Sequence, residues 1–212
     1  MPEWWKVPRE WEGETATILA SGPSLTREQV DYVRGKSRVI AVNNQGIDTV
    51  VNGVVTPAFA PWADVLYAAD RKWWEAHKAH ALKFAGYKIT IRDFHFEQVR
   101  SLQVSPQQVF DPRPTHLVTG GNSGYQALHL ATHFGAKRIV LLGFDMQLGP
   151  KKERHWFGNH PGNLNVAGNF PTWLRSFNRL APELQKMGID VINCTTSTAL
   201  KCFKRAPLEE TL

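Results

Sequence analysis

The sequence predicts an α/β fold, a single Rossmann-like domain with a mostly parallel sheet and helices on both faces. Short apolar segments alternate with helical stretches, the order typical of parallel strands joined by crossover helices. Residues 138–142, RIVLL, are apolar almost throughout, as expected of a central parallel strand. Residues 15–20 form a β-prone run that leads into Ser-Gly-Pro-Ser and then a helix, the first unit of many nucleotide-binding folds.

The pattern places six strands and five helices along the chain. The predicted strands are residues 15–20, 37–42, 65–69, 87–92, 138–142 and 189–193. The predicted helices are residues 27–34, 71–84 and 171–187, one that is opened by residues 120–124 and runs to about 134, and a short one at 198–203. Residues 45–61 are mixed, and residues 93–118 are irregular apart from one possible short strand near 108–110.

Three segments describe the domain organisation. Residues 1–14 are an N-terminal arm, residues 15–203 the Rossmann-like domain, and residues 204–212 a frayed C-terminal tail. Trp4, Trp5 and Trp11 in the arm are expected to pack on the domain or on a partner. The arm is therefore a candidate interface for a homo-oligomer.

Composition narrows the class of protein. The chain has 212 residues, 42% of them hydrophobic, enough for one cored domain. No apolar run approaches the ~20 residues of a membrane span, and the polar start is unlike a secretory signal. Cys194 and Cys202 form no metal-ligand pattern, so we expect a reduced cytoplasmic protein. The net charge of +6 favours anionic partners such as nucleotides, diphosphates or nucleic acid, although a solvated basic surface explains it equally well.

The first strand ends in a turn suited to phosphate. Backbone N–H groups and a helix N-terminus meet there, and both favour an anion. Gly22 would allow a ligand close to the backbone, Pro23 fixes one φ angle, and Ser21 and Ser24 bring hydroxyls. An ordinary βα turn is the alternative interpretation.

Polar residues follow the other strands as well. Ligands of parallel sheets bind beyond the carboxyl ends of the strands, so we expect these residues to converge. They are Asn43 and Asn44 after the second strand, Asp70 after the third, Asn122, Ser123 and Gly124 at a later helix start, Asp145 after RIVLL, and Thr195, Thr196 and Ser197 after the last strand. Each could alternatively be a cap or turn residue.

The loop of residues 147–170 carries candidate catalytic groups. His155 and His160 lie in RHWFGNHP, where a mobile histidine could act as a general base, or be merely structural. Lys151, Lys152 and Arg154 could neutralise phosphates of a nucleotide or of DNA. Asp70 and Asp145 are the candidate ligands if Mg²⁺ is used on a diphosphate.

The order of these motifs resembles a known superfamily. The chain resembles the bacterial sialyltransferases of glycosyltransferase family 42 in the order of its motifs. These are GPSL, a strand ending in Asn, NSG, LLGFDM, HWFGNHP and a final Ser-containing turn. They are also similar to flagellin-glycosylation accessory proteins and to archaeal 6-hydroxymethylpterin diphosphokinases. The resemblance covers about residues 15–203, and the chain resembles the short members found in phage and prophage genomes.

The resemblance implies roles for particular residues. A variant Rossmann domain would hold a CMP-sugar through Gly22, Pro23, Ser24 and Asn43, with Asn122, Ser123, Gly124 and Ser197 also matching ligand contacts, and His155 as general base. The chain departs from the sialyltransferases at Ser21, where they have Asn, and near Asp70. It also has Gln147 and Glu153 about where two tyrosines stabilise the departing phosphate.

The expected function is that of a nucleotide- or nucleotide-sugar-binding group transferase, glycosyltransferase-like, with a histidine base. Two other enzymatic hypotheses remain, an Mg²⁺-dependent diphosphate transferase using Asp70 and Asp145, and a phage enzyme that modifies nucleic acid. A non-catalytic nucleotide-binding accessory protein is the alternative outside catalysis.

Overall fold

A computed structural model describes residues 4–51, 54–94, 96, 98–157 and 169–212 of the chain. The strands are β1 (Thr15–Leu19), β2 (Arg38–Val42), β3 (Thr49–Val51), β4 (Val54–Thr56), β5 (Val65–Tyr67), β6 (Tyr87–Ile91), β7 (Arg100–Val104), β8 (His116–Leu117), β9 (Arg138–Leu142), β10 (Asp190–Asn193) and β11 (Lys204–Arg205). The helices are α1 (Arg27–Val33), α2 (Arg71–Ala81), α3 (Ser123–Phe134) and α4 (Phe170–Lys186).

The strand order creates a topological switch point beside β1. Within the described residues nine strands form one sheet in the order β11-β10-β9-β1-β2-β5-β6-β7-β8, with every pairing parallel. The chain builds outward from β1 to β8 and then returns to β9 on the other side of β1. Ile18 of β1 lies between Ile40 of β2 and Leu141 of β9. Connections diverge from this point, so the fold opens a crevice at the carboxyl ends of the two strands.

Each face of the sheet is covered by two helices. Tyr125 of α3 and Phe177 of α4 pack with Ile18 on one face. Val30 of α1 and Trp74 of α2 pack with Leu66 on the other face. The predicted fold class, a Rossmann-like parallel sheet between helices, is confirmed.

Two of the helix ends follow from local signals in the sequence. Thr26 and Gln29 form the capping box that starts α1, each side chain bonding the other residue's backbone N–H. Gly135 ends α3 in the left-handed region at φ 100°, where glycine carries no Cβ penalty.

Two local predictions are wrong. Residues 108–110 form no strand, and the sheet is instead extended by β7 and β8 on either side of them. Residues 198–203 form no helix, because the Thr198 hydroxyl donates to the Phe144 carbonyl (2.6 Å) and accepts from the Leu200 N–H (2.9 Å). The mixed region contains the β3–β4 hairpin, in which Val50 faces Val55.

Both terminal segments pack against the domain. The Trp11 ring stacks on Phe134 at 4.1 Å between centroids, and the Trp5 N–H donates to the Ser101 carbonyl (3.0 Å). The prediction of a frayed tail is wrong, because residues 204–205 pair with β10 as β11 and Leu208 is 3% exposed. Homo-oligomerisation through the arm remains a prediction. No helix among the described residues is long and apolar enough to cross a membrane.

Two buried histidines of α3 hold the connection between β7 and α3. Nδ1 of His129 accepts the Val118 N–H (3.2 Å), so Nε2 carries the proton and donates to the Asp111 carbonyl (2.9 Å). Nε2 of His133 donates to the His116 carbonyl (2.9 Å). Burial lowers the pKa of His129 from 6.5 to about 3, so the imidazole is neutral in the folded protein.

This burial predicts a loss of stability in mild acid. Because the unfolded chain binds the His129 proton first, stability is full above pH 6.5 and falls as the pH drops toward about 3. We expect the free energy of unfolding to fall by about 1.4 kcal/mol per pH unit for this group. Urea unfolding between pH 7.5 and 4.5 measures the slope.

The matched variant is His129→Gln, whose amide both donates and accepts hydrogen bonds but is not protonated in this pH range. It should reduce the slope, to which the other buried histidines still contribute, whereas His80→Gln, at an exposed position on α2, serves as the control. Equal slopes for the wild type and His129→Gln would contradict the assignment.

Candidate functional site

A cleft of about 650 Å³ lies at the carboxyl edge of the sheet, at the switch point. Its wall combines the ends of β1, β2, β5 and β9, the start of α3, the first turn of α4 and part of the β9–α4 loop. The lining residues that the argument uses are Ser21, Gly22, Asn43, Asp70, Arg71, Lys72, Asn122, Ser123, Gly124, Asp145, Arg154, His155 and Trp173.

The floor of the cleft is the junction between the ends of β1 and β9. The Gly22 N–H donates to the Gly143 carbonyl at 2.9 Å. A Cβ added at Gly22 would lie 1.9 Å from Oδ1 of Asp145 and 2.4 Å from that same carbonyl. The sequence predicted that Gly22 lets a ligand approach the backbone. In the structure, the space that a side chain would take is filled by Asp145 of the protein itself.

Asp145 holds the turn after β1 through two hydrogen bonds from Ser24. Its Oδ2 accepts the Ser24 N–H (3.0 Å) and its Oδ1 accepts the Ser24 hydroxyl (2.9 Å). Asp145 is 3% exposed, and burial raises the pKa of its carboxyl group to about 6 although both bonds from Ser24 oppose the shift. Ser24 is thus engaged within the protein, and neither it nor Pro23 lines the cleft.

The remaining polar groups divide into engaged and unengaged ones. The Asn122 amide caps α3 by accepting the Tyr125 N–H (3.1 Å), and Gln147 donates to the Ser197 hydroxyl (2.9 Å) outside the lining. Several other polar side chains in the lining make no hydrogen bond or ion pair to any described residue. Among them are Ser21, Asn43, Asp70 and Ser123. Unengaged polar groups around a cleft are available to a ligand.

The electrostatics of the cleft favour an anion. Helices α2, α3 and α4 all begin at its wall, so their N-termini bring partial positive charge. Arg71, Lys72 and Arg154 add full positive charges, although Arg71 also pairs with Glu75 at 2.7 Å. Asp70 and Asp145 are the acidic groups in the lining.

His155 lies in the cleft wall on a segment tied down by its neighbour. The Trp156 N–H donates to the Ser21 carbonyl (3.2 Å), Nε1 of Trp156 donates to Gln45 (3.0 Å), and its ring stacks on Phe59 at 3.6 Å. His155 is half-buried, hydrogen-bonds the Ser21 backbone and stacks on Phe157 at 5.0 Å. Burial and the nearby Arg154 lower the pKa of His155 to about 4, so its imidazole is neutral at pH 7.

Most of the predicted site residues meet in this cleft. Those that do are Ser21, Gly22, Asn43, Asp70, Asn122, Ser123, Gly124, Asp145 and His155. Pro23, Ser24 and Ser197 lie outside the lining, and His160 falls outside the described residues. For the predicted Mg²⁺ pair, no group of three or more His, Cys, Asp or Glu among the described residues could hold a metal ion.

The sequence interpretation missed several lining residues. Arg71 and Lys72 directly follow Asp70 and could have been found from that position. Phe170 and Trp173 lie in the first turn of α4. Their aromatic side chains are as typical of the hydrophobic core as of a cleft wall, so the sequence did not single them out. Nothing in the sequence indicated that Met146, which has φ 52° in the structure, would line the cleft.

The fold and the position of the cleft define a Rossmann-like α/β domain. Among solved structures the chain is similar to the sialyltransferase CstII from Campylobacter jejuni, determined in complex with the substrate analogue cytidine-5'-monophosphate. The similarity has a TM-score of 0.55 at 13% identity and covers 93% of this chain and 86% of CstII. At this identity the likeness is one of fold. No protein-family model and no curated protein matches the chain.

The β1–β9 junction predicts a severe effect of Gly22→Ala. The new methyl would meet the Gly143 carbonyl and the Asp145 carboxylate, and neither can withdraw without moving a strand end or breaking the bonds to Ser24. We expect a loss of roughly 3 kcal/mol or more in the free energy of unfolding, measured with urea.

Gly35→Ala is the matched control. Gly35 has φ +76° but no atom within 4 Å of its added Cβ, so this change should cost about 1–2 kcal/mol from backbone strain alone. A loss at Gly22 no larger than at Gly35 would show that the junction tolerates the methyl.

Proposed function

We propose that the protein binds a nucleotide or nucleotide-sugar in this cleft and transfers a group from it, as a glycosyltransferase does. The proposal depends chiefly on one observation. Ser21, Asn43 and Ser123 offer unengaged polar groups beside the N-terminus of α3, in an electropositive cleft at the switch point.

The phosphate of the nucleotide would lie at the start of α3. Backbone N–H groups of its first turn and the Ser123 hydroxyl would donate hydrogen bonds to the phosphate and stabilise the negative charge that grows as the nucleotide departs. Gly124 is required there for packing, because a Cβ at that position would lie 2.8 Å from the Phe144 ring. The start of the helix is thereby held close to β9.

The acceptor hydroxyl needs a base as the donor bond breaks. His155 lines the cleft and is neutral at pH 7, so it is a candidate to take the proton. Asp70 lines the cleft as well. The fold shared with a sialyltransferase that was solved with cytidine monophosphate supports a cytidine nucleotide as the first donor to test.

The alternative of Mg²⁺-dependent diphosphate transfer receives less support from the geometry. Both oxygens of Asp145 already accept hydrogen bonds from Ser24, so coordinating a metal would compete with the contacts that hold the first turn. A nucleotide screen with and without Mg²⁺ separates the two chemistries.

A thermal-shift screen tests nucleotide binding. CMP, UMP, GDP and ATP are each added with and without Mg²⁺, and a ligand at about 100 times its Kd should stabilise by about 2.7 kcal/mol, or several degrees in Tm. We expect a shift with CMP or UMP that needs no metal. A shift with only ATP and Mg²⁺ would favour diphosphate transfer instead.

Variants locate the binding site. Ser123→Ala and Asn43→Ala should each weaken nucleotide binding about tenfold, because each removes one hydrogen bond to a charged ligand. Ser197→Ala is the control, since Ser197 lies outside the lining. The absence of a shift with every nucleotide, or equal affinity in all three variants, would contradict the proposed site.

A further inference from the structure

Asp70 occupies an unusual position at the start of α2. It is the N-cap residue, at φ −95° and ψ 127°, yet its side chain makes no capping hydrogen bond. Its carbonyl, rather than its carboxylate, receives the N–H groups of Trp73 (3.0 Å) and Trp74 (3.2 Å). Among the described residues the carboxylate has no hydrogen-bond or ion-pair partner, and it is exposed in the wall of the cleft. Local structure therefore leaves this carboxylate unused.

Its place along the sheet edge suits an acceptor. Asp70 follows β5, which lies beside β2, which lies beside β1. Adjacent strands are about 4.8 Å apart, so Asp70 lies about 10 Å along the edge from the turn that follows β1. The anomeric carbon of a nucleotide-sugar is joined to the phosphate through one oxygen. With the phosphate near the first turn and α3, the remaining span toward Asp70 would therefore hold the anomeric carbon and the acceptor hydroxyl.

His155 is more constrained than Asp70. Its imidazole is half-buried, hydrogen-bonds the Ser21 backbone and stacks on Phe157. The contacts of Trp156 hold the same segment against Gln45 and Phe59. These contacts hold the His155 ring in one orientation, whereas the Asp70 carboxylate is exposed in the wall of the cleft and has no partner among the described residues that would keep it from an incoming hydroxyl.

We propose that Asp70 is the catalytic base that deprotonates the acceptor hydroxyl, a role that rests on the proposed function. The O–H bond of the acceptor breaks and its proton passes to the Asp70 carboxylate. The freed electron pair forms the bond to the anomeric carbon of the donor sugar. The bond from that carbon to the phosphate oxygen breaks, its electron pair leaves with the nucleotide, and Asp70 later returns the proton to water.

The experiment compares three variants on release of the nucleotide with water as acceptor. The donors are CMP-N-acetylneuraminic acid, UDP-N-acetylglucosamine and GDP-mannose, with spontaneous hydrolysis subtracted. Asp70→Asn keeps the shape of the side chain and a good N-cap but removes the base. Asp31→Asn makes the same chemical change at an exposed position on α1 outside the cleft, and His155→Gln tests the competing base.

We expect Asp70→Asn to lower kcat by about 10²-fold or more while the Kd for the nucleotide and the Tm stay unchanged. Asp31→Asn should match the wild type, and His155→Gln should lose less than Asp70→Asn. Sodium azide, an anionic nucleophile that carries no proton to remove, should restore turnover to Asp70→Asn as a glycosyl azide. This rescue separates a base from a residue that only positions the donor.

Three results would overturn the proposal: a kcat for Asp70→Asn within about threefold of the wild type, a loss that azide does not restore, or a weaker nucleotide Kd that accounts for the whole effect. Failure of the proposed function is distinguishable from these. In that case the unaltered protein would release no nucleotide from any of the three donors, and the role of Asp70 would fall with it.

Discussion

The site depends on the contact between the ends of β1 and β9. At this junction two backbones approach so closely that only glycine fits at position 22, and the space of its absent side chain holds the Asp145 carboxylate. Asp145 in turn binds both the N–H and the hydroxyl of Ser24. The turn after β1 is therefore shaped from within the protein. The nucleotide proposed for the cleft would meet a preformed wall and lose little affinity to reorganising it.

The sequence predicted the fold well because periodicity and helix ends are local properties. RIVLL, the Thr26 capping box and Gly135 each determine structure through their immediate neighbours. The errors arose where distant contacts decide. Residues 198–203 lack a helix because Thr198 bonds Phe144, and β8 depends on a strand neighbour rather than on its own two residues.

For the site, sequence could give the edge of the sheet but not the use of each side chain. Asn44 and Thr195 follow strands just as Asn43 does, yet Asn44 accepts Trp73 Nε1 (2.9 Å) and the Thr195 hydroxyl accepts the Phe144 N–H (2.9 Å). Asp70 and Asp145 are likewise indistinguishable in sequence, although one carboxylate is exposed and the other is held by Ser24. Only the three-dimensional structure distinguishes polar side chains that bond within the protein from those that are available to a ligand.

The strand order also constrains how the chain folds. β1 ends at residue 19, but its partner on one side, β9, begins at residue 138. During synthesis one edge of the central strand stays unpaired until more than half of the chain has emerged, and such non-local pairing slows folding. An apolar edge open for that long is prone to pair with other chains. We therefore expect the yield of folded protein to depend on synthesis of the C-terminal half of the chain, because that half completes both the sheet and the cleft.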